Sequence, residues 1–516
     1  MRKIYFIFAV MLCMAAFTVQ AADWYPTVVV SVAPDEGPPS SGNGALRAAV
    51  TATAGPAIYE LERGGVYYVG GTCGFGANNS VVRAKAGTGP RPIIVPYTLT
   101  GTSNDVFSGS GNLRLENLFV YGQEIGENAP MRRSIHRYTG GTAFEYEGCV
   151  FDGSAGASML RYENLNANFE APFTITVNNC IFRNSVDYTN VGNSRGIDLR
   201  DSKGVTIRVT NSTFYCISAQ TIRQNNELTQ VDELVFVNNT VYGSAGAFVV
   251  GTAEKAMVNN NIFYNPGLNG VITGTGSLIS FEAIEYPREV EIRNNLFYRD
   301  PIFDALLPIG GTSRYFVELG VDSVIMNGAG RNLLDAGELI LENTLNYAIA
   351  FKNPPASVLP FYTYLWENNV PNTAIPAAQQ TFIRREAPGF IGDKLEGIAP
   401  YSFAYPKTSP AATAGVGGTY LGAWKPYEGS GIIPVAKNNL KAWFDASSKI
   451  LNVAFDSSVA LAKVSVFTPA GVLVANQLIA PNGQRTECEL TGLSRGVYIF
   501  IVEIPDGSMA RGKFVY

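Results

Sequence analysis

One pattern constrains this chain more than any other. Between residues 113 and 300 a short motif recurs seven times: LRLENLFVYG (113–122), FEYEGCVFDG (144–153), ITVNNCIFRN (175–184), IRVTNSTFYC (207–216), LVFVNNTVYG (234–243), AMVNNNIFYN (256–265) and EIRNNLFYRD (291–300). Each copy alternates apolar and polar residues, reaches an Asn or other polar pair, and continues to an aromatic. The anchoring aromatics are Phe119, Phe151, Phe182, Phe214, Tyr242, Phe263 and Phe297, at spacings of 32, 31, 32, 28, 21 and 34. A fixed motif on a variable period is what a coil of similar turns with unequal loops would produce. The alternation is a strand signal. Asn179, Asn211, Asn239, Asn260 and Asn294 stand three residues before their aromatics. Asn tolerates left-handed backbone and bonds its own turn, and stacked Asn side chains can bond along the stack.

Each repeat therefore predicts one rung of strand, Asn turn, strand, loop and strand. Rungs stack because one alone cannot bury its inner face. A propeller would need blades of four strands and about 40 residues, and a sandwich would not hold Asn in phase with an aromatic seven times. The expected fold is all-β, a right-handed parallel β-helix. Cys149 and Cys180 occupy the same place in successive rungs, which predicts stacked buried thiols, with a disulfide as the alternative.

Composition agrees with a repeat confined to the middle. Of 40 Asn, 24 lie between Asn104 and Asn295. The formal charge is −5, which argues against a nucleic-acid partner. The single histidine, His136, excludes His-rich zinc sites, and in RRSIHR (132–137) it reads as a loop or core residue before a catalyst. No Cys-x-x-Cys pair supports structural zinc.

The two ends differ from the middle. Arg2 and Lys3, an apolar run from Ile4 to Phe17 and Val19-Gln20-Ala21 predict a signal peptide over 1–21. The run is too short to span a bilayer, and no later segment is apolar enough for a transmembrane span. GALRAAVTATA (44–54) predicts an amphipathic helix capping the first rung, whose edge and core would otherwise be bare. Residues 22–430 are assigned to the β-helix, with 301–428 as irregular late rungs. After the linker Glu428-Gly429-Ser430-Gly431 the Asn repeat is gone. Short alternating strands over 436–516 predict a small β-sandwich. Its alternative as a carbohydrate-binding module would need a row of exposed aromatics, and Trp443, Phe444, Phe467 and Tyr498 mostly fall in core phase.

Leu46-Arg47-Ala48-Ala49-Val50, then strands with Gly-Tyr, the Asn-x-x-Phe rungs, and a late Ser409-Pro410-Ala411-Ala412, Gly415, Gly417, Gly418, Leu421-Gly422, Trp424 resemble the pectate-lyase-like β-helix superfamily. The branch most similar is that of secreted, polysaccharide-associated proteins of Gram-negative bacteria. The resemblance covers about residues 25–428. The last 80 residues resemble the C-terminal sorting domain of type IX secretion, on V-x-V-F-x-x-x-G-x-L-V, L-x-x-L-x-x-G-V-Y and a closing K-F-V. That implies export, contact with the secretion machinery, and release or attachment at the cell surface.

In that superfamily substrates lie along one outer sheet. Leu160-Arg161-Tyr162, Leu199-Arg200-Asp201 and Ile222-Arg223-Gln224 share one phase, aliphatic in and Arg out, and His136-Arg137-Tyr138 fits less cleanly because Ile135 could also point inward. Arg137, Arg161, Arg200 and Arg223 are thus expected as a substrate-binding ladder on adjacent rungs about 4.8 Å apart. Arginine forks take carboxylates bidentately, which suits a uronate polysaccharide. The resemblance further implies a lyase using Arg200 and Arg223 as catalytic groups, and calcium as cofactor, held by Asp198, Asp201 and Glu163. Glycan capture without turnover, a lyase, and a face merely stiffened by Arg–carboxylate pairs all remain open at this point. The motifs of the known lyase families and the paired Asp of polygalacturonases are absent.

Overall fold

The computed structural model describes residues 24–298, 328–354, 390–391, 394–395, 401–428 and 441–516, apart from 40–43, 98–104, 123–133, 155–157, 164–171, 186–193, 218, 225–228, 245–247, 267–277, 284–286, 446–447, 455–461, 469–472, 480–484, 491 and 504–508. The expected signal peptide and most of the late rungs at 301–400 lie outside the described residues. The chain divides into two compact units. The first comprises 1–348, 361–399 and 413–423, and the second 349–360, 400–412 and 424–516.

The first unit is a right-handed parallel β-helix. Sheet A has eleven strands, sheet B nine and sheet C six, and a further pair, Phe248–Gly251 with Ile279–Phe281, follows sheet C in the chain. One rung shows the path: Phe173–Asn178 in sheet A, Ile181–Ser185 in sheet B, Arg195–Arg200 in sheet C, then Val205–Thr210 back in sheet A. Register is kept from rung to rung because inward and outward residues alternate, so a slip of one would expose a whole inner row.

The corner between sheets A and B is where the Asn repeat acts. Asn117, Asn179, Asn211, Asn238, Asn260 and Asn294 all have positive φ, between 50° and 60°, and Gly148 takes the same place with φ 61°. Each stands three residues before an inward side chain, and these make the column Val120, Phe151, Phe182, Phe214, Val241, Phe263 and Phe297. Two anchors in the sequence alignment therefore shift by one. Phe119 and Tyr242 face outward and Val120 and Val241 take their inner places, because the left-handed turn residue in those rungs is Asn117 and Asn238. Within the column Phe182 and Phe214 stack at 4.6 Å, and Phe263 and Phe297 at 4.9 Å. Such ring pairs contribute about 0.5–1.5 kcal/mol beyond their buried area.

The residue after each turn residue builds a second, buried column. Its members Cys149, Cys180, Ser212, Asn239, Asn261 and Asn295 hand hydrogen bonds upward. Cys149 N donates to Cys180 Sγ (3.4 Å), Cys180 N to Ser212 Oγ (3.1 Å), Ser212 N to Asn239 Oδ1 (2.8 Å), Asn239 N to Asn261 Oδ1 (2.8 Å) and Asn261 N to Asn295 Oδ1 (2.9 Å). The two thiols are free and buried. Asn239 belongs to this column and Asn211 to the left-handed one, so the two Asn of the motif have different tasks.

Helix α1 (Ala45–Ala52) caps the first rungs with Leu46 and Val50 buried. Gly44 has no side chain to cap it, and Asp35 does the work: Oδ1 accepts Ala45 N at 2.9 Å while Oδ2 accepts Tyr68 N at 2.8 Å. Helix α2 (Gly328–Asp335) sets Ala329, Leu333 and Leu334 against the other end of the core. Part of the late glycine-rich signature, 413–423, returns to the outside of the A–B corner. Val416 N donates to Asn260 Oδ1 (2.9 Å), Asn294 Nδ2 to Ala414 O (2.6 Å) and Ala423 N to Thr240 Oγ1 (3.0 Å). Gly422, at φ 75°, lies so close that a Cβ would meet Ile262 Cδ1 at 2.6 Å, which explains the glycine.

In the second unit a small cluster joins Phe351, Phe403 and Trp424. The C-terminal strands form two antiparallel sheets. One has three strands, Lys441–Asp445, Ile450–Ala454 and Arg485–Glu489; the other, in the order Leu473–Ile479, Ala462–Phe467, Val497–Glu503 and Met509–Val515, has four. Leu451, Val453, Val464, Val466, Phe500, Val502 and Phe514 fill the core between them. Tyr498 and Phe444 pack there too, while Trp443 is exposed.

Candidate glycan-binding face on sheet C

Sheet C carries the arginines, and its register decides how they meet. Arg137 pairs with Arg161, Arg161 with Asp198, Asp198 with Arg223, and Glu163 with Arg200. All four arginines share the outward face, as their phase predicts, but they do not form one column. Arg200 stands one step further along its strand, and Asp198 occupies the place expected for an arginine. The reason is electrostatic: four guanidiniums about 4.8 Å apart would repel one another, and an interleaved carboxylate removes that cost.

The result is a square of alternating charge. Arg161 and Glu163 lie on one strand, Asp198 and Arg200 on the next, and every neighbour is of opposite sign. Arg200 Nε donates to Asp198 Oδ2 at 2.8 Å, and Arg161 pairs with Glu163. Arg137 and Arg223 flank the square, with Arg137 Nε to Glu163 Oε2 at 2.6 Å and Arg223 Nη1 to Asp198 Oδ1 at 3.4 Å. Ser158 Oγ donates to Asp198 Oδ2 at 2.8 Å, a contact the sequence reading missed. The arginine side chains are graded in exposure: Arg137 43%, Arg200 23%, Arg223 20% and Arg161 6%. Burial pushes the Arg223 guanidinium below its ordinary value; Asp198 opposes that shift and Arg200 adds to it.

Asp198 and Glu163 do not fit the calcium site that the resemblance implies, and Asp201, at φ 49°, follows directly after the end of the Asp198 strand. Asp198 is fully buried with both oxygens taken by Arg200, Arg223 and Ser158, and both Glu163 oxygens go to arginines. Among the described residues no group of three or more His, Cys, Asp or Glu side chains is placed to hold a metal ion. A hard cation needs carboxylate oxygens free to turn toward it, and those of Asp198 and Glu163 are committed.

His136 lies inside the coil, in the row Phe107, His136, Leu160. Its Nδ1 meets Tyr146 Oη at 2.6 Å, Tyr146 Oη meets Tyr162 Oη at 2.8 Å, and the rings of Tyr138 and Phe144 pack around it. Burial lowers its pKa to about 3, so it is a neutral core residue. Ile135 is buried as well, so the phase at this strand is set by the register, which puts His136 with Phe107 and Leu160 and Arg137 with Arg161.

The outside of sheet B holds a second charged group that sequence reasoning passed over. Tyr121, Asp152, Arg183 and Tyr215 are in register, followed by Tyr242, Tyr264 and Tyr298. Arg183 Nε donates to Asp152 Oδ2 at 2.7 Å, Asn184 Nδ2 to Asp152 Oδ1 at 2.8 Å, and Arg183 Nη1 to Tyr215 Oη at 2.9 Å. Burial raises the Asp152 carboxyl, against the opposing pull of Arg183 and Asn184. The signal was available: each of these residues directly follows an inward residue and must point out. The cluster is buried throughout, whereas the sheet C face is open at Arg137, Arg200 and Arg223. No protein-family model matches this chain, and no curated protein matches it.

Proposed function

We propose that the outer face of sheet C binds an acidic, uronate-containing polysaccharide outside the cell. The observation that supports this reading best is the cluster on that face. Arg137, Arg161, Arg200 and Arg223 gather around Asp198 and Glu163, and the three most exposed of these six side chains are arginines, on a chain whose overall charge is −5. Partly exposed guanidinium donors suit ligand carboxylates. Arg200→Ala weakens binding to uronate oligomers roughly 10-fold and Arg200→Lys recovers part of it, since Lys lacks the fork. Binding weakens as salt rises, and neutral glycans show neither effect. Unchanged affinity in both Arg200→Ala and Arg223→Ala rejects the reading.

One observation favours a catalytic extension. The two candidate catalytic residues, Arg200 and Arg223, meet on the one carboxylate of Asp198, and burial pushes the Arg223 guanidinium below its ordinary value. In β-elimination Arg223, in its neutral guanidine form, would take the C5 proton, the C5–H electrons would form the C4–C5 double bond, and the C4–O bond would break as its oxygen takes a proton from water. Arg200 would neutralise the uronate carboxylate. Incubation with uronate polymers, with and without Ca²⁺, separates the readings: a rise in absorbance from the unsaturated product means lyase, and binding without a rise means a capture protein or adhesin.

The C-terminal sandwich is proposed as the export and sorting module, acting with the secretion machinery and not with glycan. Truncation after Gly431 leaves the β-helix folded and traps it in the periplasm. Normal surface appearance of the truncated protein rejects that role.

A further inference from the structure

We infer that Asp198 and Glu163 are positioning residues, which turn the arginine strip into a site with two anion anchors. The inference rests on the reading of this face as glycan-binding and goes beyond it. Asp198 is fully buried, so no ligand touches it, yet it is the meeting point of Arg200, Arg223 and the Ser158 hydroxyl. Glu163, 13% exposed, plays the same part for Arg137 and Arg161. The device occurs twice on neighbouring strands with its order inverted, Arg161-x-Glu163 against Asp198-x-Arg200, and the register closes the two into the square.

Within the square the charges balance, two of each sign. Asp201 adds its charge on the Arg223 side, and the square is flanked by Arg137 and Arg223. These stand on the first and last of four successive strands, so three strand spacings separate them, roughly 14 Å along the helix axis. Each is held by a carboxylate of the square, Arg137 at 2.6 Å and Arg223 at 3.4 Å. A long guanidinium side chain already held in place loses less freedom when a ligand binds it. The face is thereby fitted to a polymer carrying carboxylates at fixed separation, in preference to one that merely carries charge.

The two ideas make opposite predictions for the same substitution. Asp198→Asn and Glu163→Gln each remove a negative charge, so attraction for any polyanion rises. If positioning governs, affinity for uronate falls all the same. The probes are hexamers of galacturonate and of mannuronate, with dextran sulfate as the polyanion of different geometry, titrated against the full-length protein after its melting curve is checked. The expected result is a loss of roughly 10-fold for the preferred hexamer in each variant, with dextran sulfate bound more tightly. Ser158→Ala keeps every charge and frees only Asp198. It should weaken hexamer binding by a smaller factor and leave dextran sulfate unchanged, which tests the idea even where Asp198→Asn folds poorly. Hexamer affinity equal to or above the parent's in Glu163→Gln and Ser158→Ala overturns the positioning role, as does equal weakening of both probes. If the parent binds neither hexamer, the glycan reading itself is lost and this inference with it.

Discussion

Two columns of side chains climb this β-helix with the same step and opposite solutions. Inside the A–B corner, Asn239, Asn261 and Asn295 stack like upon like. On the outer face of sheet C, Arg137 and Arg161 are followed by Asp198 and then Arg223. An amide both donates and accepts, so an identical neighbour completes it. A guanidinium only donates and carries charge, so a column of them must be broken by carboxylates. Stacked repeats can therefore propagate a neutral amphoteric residue without limit, while a row of arginines draws carboxylates in among them, as Asp198 stands between Arg161 and Arg223.

The sharpest way to break this comparison is to remove one charge where no solvent can replace it. Arg183→Met leaves Asp152 buried beside Asn184 alone, and a loss of about 3–5 kcal/mol is expected from denaturant unfolding. Restoration by the double variant Asp152→Asn/Arg183→Met would show that the cost is the stranded carboxylate. A loss under about 1 kcal/mol in the single variant would mean that water reaches the site.

Asn261→Ala tests the neutral column. Asn261 Oδ1 accepts Asn239 N, and Nδ2 donates to Phe236 O at 2.8 Å. Both partners are stranded by the substitution, for about 2–3 kcal/mol. A melting curve like the parent's would mean that the column is dispensable.

Asn211→Ala is expected to cost less, about 1 kcal/mol, because the side chain is partly exposed and the loss comes mainly from the left-handed backbone at φ 50°. Asn211→Gly should therefore be nearly neutral. Equal losses in Ala and Gly would place the effect in the Asn211–Asn178 bond of 2.9 Å instead.

The smallest effect at neutral pH belongs to His136→Phe, under about 1 kcal/mol for one lost hydrogen bond. Its signature is in the pH profile. The folded pKa of about 3 lies below the ordinary 6.5, so between those values the unfolded chain binds a proton that the folded chain does not. Stability therefore falls as pH drops from about 6.5 toward 3, and His136→Phe should remove that part of the slope. An unchanged slope would mean that His136 is not held neutral.

Much of the fold was legible because stacking makes it local. A rung is one motif long, and its period, its left-handed Asn and its inward aromatic all lie within ten residues. The departures are also local: Phe119 and Tyr242 are the nearest aromatics in their repeats, yet Asn117 and Asn238 set the phase and turn them outward. The outward direction of Arg161, Arg200 and Arg223 follows from alternation alone, while that of Arg137 needs the register of His136 with Phe107 and Leu160.

What alternation could not supply was the register between strands joined by loops of unequal length. From Arg161 to Arg200 the sequence offers a matching phase, and only the ladder of sheet C shows that Arg161 faces Asp198 and Glu163 faces Arg200. The committed oxygens of Asp198 and Glu163, the burial of His136 among tyrosines and the return of 413–423 to Asn260 and Asn294 depend in the same way on neighbours far away in the chain. Sequence by itself determined the repeating unit, since strand period and turn chemistry are short-range. Tertiary structure alone decided which charges meet, since a contact across rungs depends on loop lengths that the motif does not encode.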